Sequence, residues 1–308
     1  MNIKDLYESG INIQQYFRER NQTNKNDINA ILLSYDYQAG EYTANYNDSD
    51  CMEEVECHGE KVAMTNRAWT ELAGKLIARE IETYDPDSVL EVGTGEATIL
   101  AEVIACMKGE KEIEYTGIDI SLSRLLYAKK FVKERKLEVD LAVADLFQLP
   151  FADGQFDVVF LRNCLESNTG REKEAITELL RIANKCVILI EPSYRLGNEE
   201  TRKRIKELGY VDHIDDALEG LHVVKNEKFA ASLWNNNTAI IVIEKEETVS
   251  RCETKWSCPR CGNGLAHLGE ALYCDECFNI YPLIGGGIPL LTSENAVLCS
   301  KWKKCLEE

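Results

Sequence analysis

Three carboxylates and four thiols are the residues of this chain whose types and spacing could do chemistry. Glu91, Asp119 and Asp145 each close a short apolar run, in Val89-Leu-Glu-Val-Gly-Thr-Gly95, Gly117-Ile-Asp119 and Ala144-Asp145-Leu146. Carboxylates so placed can accept from both hydroxyls of a ribose, hold a purine amino group, or face a cation such as a sulfonium. Glu191-Pro192 ends a further run, and Arg162-Asn163-Cys164 follows another. The thiols Cys258, Cys261, Cys274 and Cys277 form two C-x-x-C pairs with twelve residues between them. That is the ligand spacing of a tetrahedral four-thiolate zinc site.

The carboxylates imply the elements that must position them. Gly93 and Gly95 end the first apolar run, and Ala97, Leu100, Ala101 and Ile104 then mark one face of a helix. Strand, glycine turn and helix form the opening unit of a nucleotide-binding α/β sheet. Thr98 stands where a dinucleotide fingerprint needs glycine, and the Glu96 carboxylate would repel a pyrophosphate. The turn therefore suits a nucleoside ligand without phosphates, of which S-adenosylmethionine is the common one. Apolar runs at 113–118, 137–143, 156–161 and 186–190 alternate with helical patterns such as Ile176, Leu179, Leu180 and Ala183. This alternation predicts a parallel sheet with helices on both faces. The runs 221–229 and 238–244 flank Asn235-Asn-Asn237 and read as an antiparallel hairpin.

The predicted fold class is α/β: a Rossmann-like, mostly parallel seven-stranded sheet over 86–247, with a helical N-terminal cap over 1–85. The cap carries an acidic loop around Asp48 to Glu60 and a cluster of rings at Tyr35, Tyr37, Tyr42 and Tyr46. A small C-terminal zinc ribbon follows over 256–298, after a linker at Ser250–Trp256.

The 308 residues carry a formal net charge of −18, which argues against a broad phosphate-binding surface. No stretch approaches the apolar length of a membrane span, and Met1 to Gly10 has no apolar signal core. The expectation is a cytoplasmic protein with no membrane partner, whose 12 cysteines are thiols and metal ligands rather than disulfides. Cys51, Cys57 and His58 lack a second tight pair and read as isolated groups. The oligomeric state is open.

Residues 35–245 resemble a class I S-adenosylmethionine-dependent methyltransferase of the broad "methyltransferase domain 11" type. The resemblance rests on the runs at Glu91, Asp119 and Asp145 and on Leu149-Pro-Phe-Ala-Asp153-Gly-Gln-Phe-Asp157. It implies that Glu91, Gly93 and Gly95 cradle the methionine part, and that Asp119 and Ile120 hold the ribose. Asp145 and Leu146 would hold the adenine, Asn163 would line the methionine end, and the helix with Tyr42 would cover the cofactor. Ala97 departs from the family, which usually has a third glycine there. Arg162-Asn163 is similar, over two residues, to quinone-biosynthesis C-methyltransferases. From Trp256 to Leu298, including Tyr281-Pro-Leu-Ile-Gly-Gly-Gly-Ile288, the chain resembles the small zinc-ribbon family that activates RNA and release-factor methyltransferases. That likeness implies a folding, docking or substrate-presenting module whose zinc is structural, with no open coordination site.

The expected activity is methyl transfer to a small molecule, enclosed by the aromatic cap. The alternatives are RNA or protein presented by the ribbon, or a cofactor-binding interaction protein without catalysis. No catalytic residue is assigned; Glu166, Glu191 and His213 are the candidates for a base.

Overall fold

The computed structural model describes residues 3–57, 59–107, 109, 111–252 and 254–307, so His58 lies outside the described residues. Four helices come first: α1 (Ile3–Glu8), α2 (Ile13–Asn21), α3 (Ile28–Tyr37) and α4 (Glu41–Asn47). A β-hairpin of β1 (Met52–Cys57) and β2 (Glu60–Thr65) follows, where the sequence suggested an acidic loop. The density of acids in this stretch masks a strand alternation whose inward residue, Val55, is fully buried. The hairpin is held from outside: Glu56 N donates to Ser232 O at 2.9 Å, and Trp234 N donates to Glu54 O at 2.8 Å.

Helix α5 (Asn66–Glu82) starts at Thr65, whose side chain caps Ala68 N. The main layer then runs β3 (Ser88–Val92), α6 (Thr98–Cys106), β4 (Glu114–Asp119), α7 (Leu122–Glu134), β5 (Asp140–Ala144), β6 (Phe156–Arg162), α8 (Glu172–Ile182), β7 (Ala183–Pro192), α9 (Glu199–Leu208), β8 (Val223–Lys228) and β9 (Thr238–Glu244). The strands lie in the order β5-β4-β3-β6-β7-β9-β8; β3 to β7 are parallel, and β9 and β8 are antiparallel additions. These are the seven strands expected. Alternate side chains feed two cores. Leu90, Val92, Val159 and Leu161 face one layer of helices, and Val89, Val158, Phe160 and Ile188 face the other. Burial on both faces explains why these strands read as continuous apolar runs. The loop 229–237 between β8 and β9 is larger than a tight turn; it bridges to β1 through Leu233 and Val55 and buries Asn236 and Asn237.

The C-terminal segment holds β10 (Ala266–Leu268), β11 (Ala271–Tyr273), β12 (Asn279–Ile284), β13 (Ile288–Leu291), β14 (Val297–Leu298) and α10 (Trp302–Glu307). Strand β13 pairs in parallel with β5, with Leu290 opposite Val143 and Leu291 opposite Ala144. The sheet therefore continues past the seventh strand into the cysteine-bearing segment. Trp256, Cys258, Leu265, Leu272, Cys274, Tyr281 and Leu291 share one apolar core with the central strands. The Trp256 ring lies 5.4 Å from that of Phe151. Among the described residues no helix is long and apolar enough to cross a membrane.

Candidate functional site

The strand order reverses at β3, which pairs with β4 on one side and β6 on the other. In such a sheet the crevice for a ligand opens beyond the carboxyl ends of these strands. The first turn there is packed as tightly as its glycines allow. A Cβ on Gly93 would lie 2.4 Å from Cys164 Sγ, and one on Gly95 would lie 2.9 Å from the Arg124 guanidinium; both glycines have positive φ. Ala97 also has positive φ, 58°, and is fully buried, so helix α6 begins at Thr98 rather than at Ala97. A third glycine would relieve that strain.

The charged groups on this turn are held by backbone. Asp119 Oδ2 accepts from Gly95 N at 2.9 Å, and its Oδ1 accepts from Ser121 N at 2.9 Å. Glu91 accepts from the Thr94 hydroxyl at 2.6 Å. Burial pushes the Glu91 carboxyl up to about 8, against the opposing pull of Thr94 and the Arg162 charge. Glu96 lines the second chamber, but its carboxylate is engaged by the cap: it accepts from Gly40 N at 2.8 Å, Tyr42 N at 3.3 Å and Thr43 N at 2.7 Å. It thus caps the first turn of α4 and ties the aromatic cap to the glycine turn. Asp36 accepts from the Ser121 hydroxyl at 2.6 Å, and the Tyr35 and Ser167 hydroxyls lie 3.1 Å apart, which anchors α3 across the same crevice.

Under this cap lie two connected chambers. The first, about 610 Å³ including its open mouth, is lined by Asp119, Ile120, Asp145, Leu146, Phe147, Ile28 and Ile31 among others. Burial raises the Asp145 carboxyl, although Phe147 N donates to it. The second, about 1250 Å³ including its open mouth, is lined by Tyr42, Glu91, Gly95, Trp69, Arg162 and Glu166 among others. Tyr35, Gly93, Arg124 and Asn163 border both. All nine residues that the family resemblance singles out for the cofactor therefore line one or both of these adjoining chambers.

The three candidates for a base separate. Glu166 is buried in the wall of the second chamber; its Oε2 has no hydrogen-bond partner, and burial pushes the carboxyl up to about 7. Glu191 is outside both linings. Its carboxylate accepts from the backbone N–H of Cys164, Leu165 and Glu166 at 2.8–3.0 Å, so it shapes the turn after β6. His213 is exposed beside Asp212 and lines neither chamber. Several lining residues escaped the sequence reading. Trp69 on α5, Arg124 on α7, Arg204 on α9 and Asn236 in the β8–β9 loop sit in stretches whose pattern is that of ordinary helix and loop. The inward turn of each is decided by tertiary packing.

The four paired cysteines converge in the C-terminal segment that extends the sheet beyond β5. Their Sγ atoms all lie within 4.8 Å of one another, with separations of 3.4 Å (Cys261–Cys274), 3.5 Å (Cys258–Cys277) and 3.6 Å (Cys261–Cys277). Tetrahedral thiolates at zinc stand about 3.8 Å apart, given Zn–S bonds of about 2.3 Å. Asn279 Nδ2 donates to Cys277 Sγ at 3.0 Å, and the Tyr281 hydroxyl lies 3.2 Å from Cys258 Sγ. Cys51 and Cys57 belong to no such cluster among the described residues. The cysteine segment also grips the loop that follows Asp145. Ser257 N donates to Pro150 O, Gln148 Nε2 donates to Pro259 O, and the Ser293 hydroxyl donates to Gln148 Oε1, at 2.6–2.8 Å.

Comparison with known proteins points to the same fold. Residues 89–186 match the family described as "Methyltransferase domain". The chain is 30% identical over 122 residues to demethylmenaquinone methyltransferase of Porphyromonas gingivalis, covering 39% of this chain and 47% of that protein. It is also 30% identical over 115 residues to norajmaline N-methyltransferase of Rauvolfia serpentina, covering 37% and 38%. The chain thus spans less than half the length of these curated relatives. Among solved structures, magnesium protoporphyrin IX methyltransferase of Synechocystis PCC 6803 with bound SAH superposes with a TM-score of 0.53. It is 15% identical and covers 71% of this chain and 100% of that one. The [4+2]-cyclase SpnF gives a TM-score of 0.53 at 17% identity, covering 71% and 96%. The chain has the Rossmann-like methyltransferase fold.

Proposed function

We propose that this chain is an S-adenosylmethionine-dependent methyltransferase that acts on a small molecule. The observation that carries the reading is the pair of chambers joined at Gly93, Asn163, Tyr35 and Arg124. One elongated ligand can lie across both and leave its reactive centre at the junction. The residues fit that ligand. The first chamber has two carboxylates and apolar walls for an adenosine, with Asp119 and Ile120 at the ribose and Asp145 and Leu146 at the base. Gly93 and Gly95 let the backbone approach the methionine portion, where Asn163 Oδ1 is buried without a partner. Glu91 lines this end and Tyr42 closes over it. The cofactor would supply an electrophilic methyl group on a sulfonium.

The chain's own part is alignment, exclusion of water and, for an oxygen or nitrogen nucleophile, removal of a proton. Glu166 is the residue placed for the last role, since it is buried in the substrate chamber with one oxygen open. Glu191 acts through the turn it holds. The four thiols fit zinc by spacing and by the donors around them. The ion's role would be to fold the ribbon and, through Gln148 and Pro150, to set the loop that carries Asp145. The ribbon abuts the β5 edge beside the first chamber, not the mouth of the second, which favours a small molecule over RNA or protein presented by the ribbon. The chain would divide into a cap over 1–85, a cofactor-binding domain over 86–247 and a ribbon over 256–298, the last two sharing a core.

Calorimetry with S-adenosylhomocysteine tests the cofactor assignment, and a folded wild type that fails to bind it would refute the reading. Incubation with S-adenosylmethionine and fractionated small metabolites, followed by mass spectrometry for a mass gain of one methylene, tests the substrate class.

A further inference from the structure

The second chamber has a feature that methyl transfer alone does not require. Arg124, Arg162 and Arg204 all line it, and the Nε atom of each is buried without a hydrogen-bond partner. No ion pair engages any of the three among the described residues. Each guanidinium instead lies over a ring: Arg124 is 4.4 Å from the centroid of Tyr42, Arg162 is 4.5 Å from Trp69, and Arg204 is 5.9 Å from Tyr210. Stacking satisfies the face of a guanidinium and leaves its in-plane donors free, the edge that grips an oxyanion in two parallel bonds.

The carboxylates nearby do not use those donors. Glu96 is taken up by the backbone of α4, Glu91 accepts from Thr94, and Glu53 accepts from Asn66 at 2.8 Å. Glu166 keeps one oxygen open, and Asn236 Oδ1 beside it is also unpartnered. Buried polar groups in a folded protein are ordinarily paired, so such a concentration in one cavity marks what the cavity is built to receive. Arg124 borders both chambers and belongs to the cofactor's end; Arg162 and Arg204 border the second chamber alone. Glu166, the proposed base, borders the same chamber, and the charges of Arg204 and Arg162 both favour its ionised form against the effect of burial.

We infer that the substrate carries an oxyanionic group, carboxylate or phosphate, on a flat apolar body, and that Arg162 and Arg204 bind that anion while Trp69 packs along the body. This rests on the cofactor reading above for the location of the reacting methyl, but not for the existence of the anion site. The arrangement gives specificity by omission: a neutral analogue would leave the two guanidinium edges buried and unpaired.

The test is calorimetric, on the full chain with its metal, with and without saturating S-adenosylhomocysteine. The probes are benzoate, phenyl phosphate and benzamide, which share a ring and differ in charge. Benzoate or phenyl phosphate should bind wild type at least about tenfold more tightly than benzamide, and the tighter of the two identifies the oxyanion. Arg162→Met and Arg204→Met should each abolish that preference, and Arg204→Met should do so while S-adenosylhomocysteine affinity stays within about twofold of wild type. Should either variant fail to fold, Arg162→Lys and Arg204→Lys keep the charge but lose the two-pronged grip and should retain only part of the preference. Equal binding of the charged and neutral probes to wild type overturns the inference, as does a preference that survives both methionine variants. A retained anion preference in a protein that does not bind S-adenosylhomocysteine supports the anion site and overturns the cofactor reading instead.

Discussion

The crevice and the cysteine cluster are neighbours that treat their polar atoms in opposite ways. In the cluster, sulfur faces sulfur at 3.4–3.6 Å, with the Asn279 amide and the Tyr281 hydroxyl turned onto the set. In the second chamber Arg124, Arg162, Asn163, Glu166, Arg204 and Asn236 each keep a buried atom unpartnered. A closed set of ligands contributes stability and offers nothing to a substrate. An open set stores unsatisfied bonding that a ligand can complete. On the proposed function, the cysteine segment is architecture and the chamber is chemistry, and the loop 145–151 touches both.

The largest expected effect breaks the architectural side. Cys274→Ser should lose the metal, with a stability cost on the order of 5 kcal/mol or more, because zinc binding in such modules is folding free energy. The damage should travel through the pairing of Leu291 with Ala144 and weaken cofactor binding. Metal analysis of wild type, expected at about one zinc per four-thiolate site, and thermal unfolding of both proteins check it; a metal-free wild type with an intact ribbon contradicts it.

Next comes Asp119→Ala, which removes the carboxylate proposed for the ribose. Loss of a charge-assisted pair should cost roughly 1.5–3 kcal/mol in S-adenosylhomocysteine affinity. The loss includes the support that Asp119 gives to Gly95 N. Unchanged affinity in a folded variant removes Asp119 from the cofactor site.

Glu166 sharpens the comparison through pH. Its carboxyl is raised from 4.5 to about 7, so the neutral form is favoured in the folded state. The stability it contributes is full below about 4.5 and is lost as pH rises through about 7. The ligand-free Glu166→Gln variant should therefore be more stable than wild type at pH 8 and close to it at pH 5. Turnover runs the other way: with an oxygen or nitrogen nucleophile, the wild-type rate should climb through pH 7 and the variant should lose that limb. A profile identical in both proteins rules out Glu166 as the base.

Smaller effects follow. Tyr42 is 46% exposed, so Tyr42→Ala should leave thermal stability nearly unchanged. By removing the ring over Arg124 it should lower kcat/KM by roughly fivefold, about 1 kcal/mol. Ala97→Gly trades the strain of a positive φ for a lost buried methyl; each is worth about 1 kcal/mol, so unfolding should shift by less than that. A destabilisation of several kcal/mol would show that the methyl, not the turn, governs this position.

Much of this molecule is local in its causes and was therefore legible in order along the chain. Alternating apolar runs and helical periods mark the seven strands, because a strand buried on both faces must be continuously apolar. Strand-end acids mark the crevice, because chain direction carries every parallel strand to the same edge. Two C-x-x-C pairs mark the cluster, because the knuckle geometry is written into four residues. What escaped was set by contacts between distant segments. The hairpin at 52–65 gains its strand character from Ser232 and Trp234. Glu96 serves α4 because the cap folds back onto the turn. Glu191 supports a turn and lines neither chamber, because three backbone N–H groups converge on it. The sequence alone determined the strands, the crevice and the thiol set, since each follows from residue type and short spacing. Only the tertiary structure decided that β13 would extend the sheet beside Asp145, and that Arg162 and Arg204 would share one chamber, since neither side chain's direction is encoded within its own element.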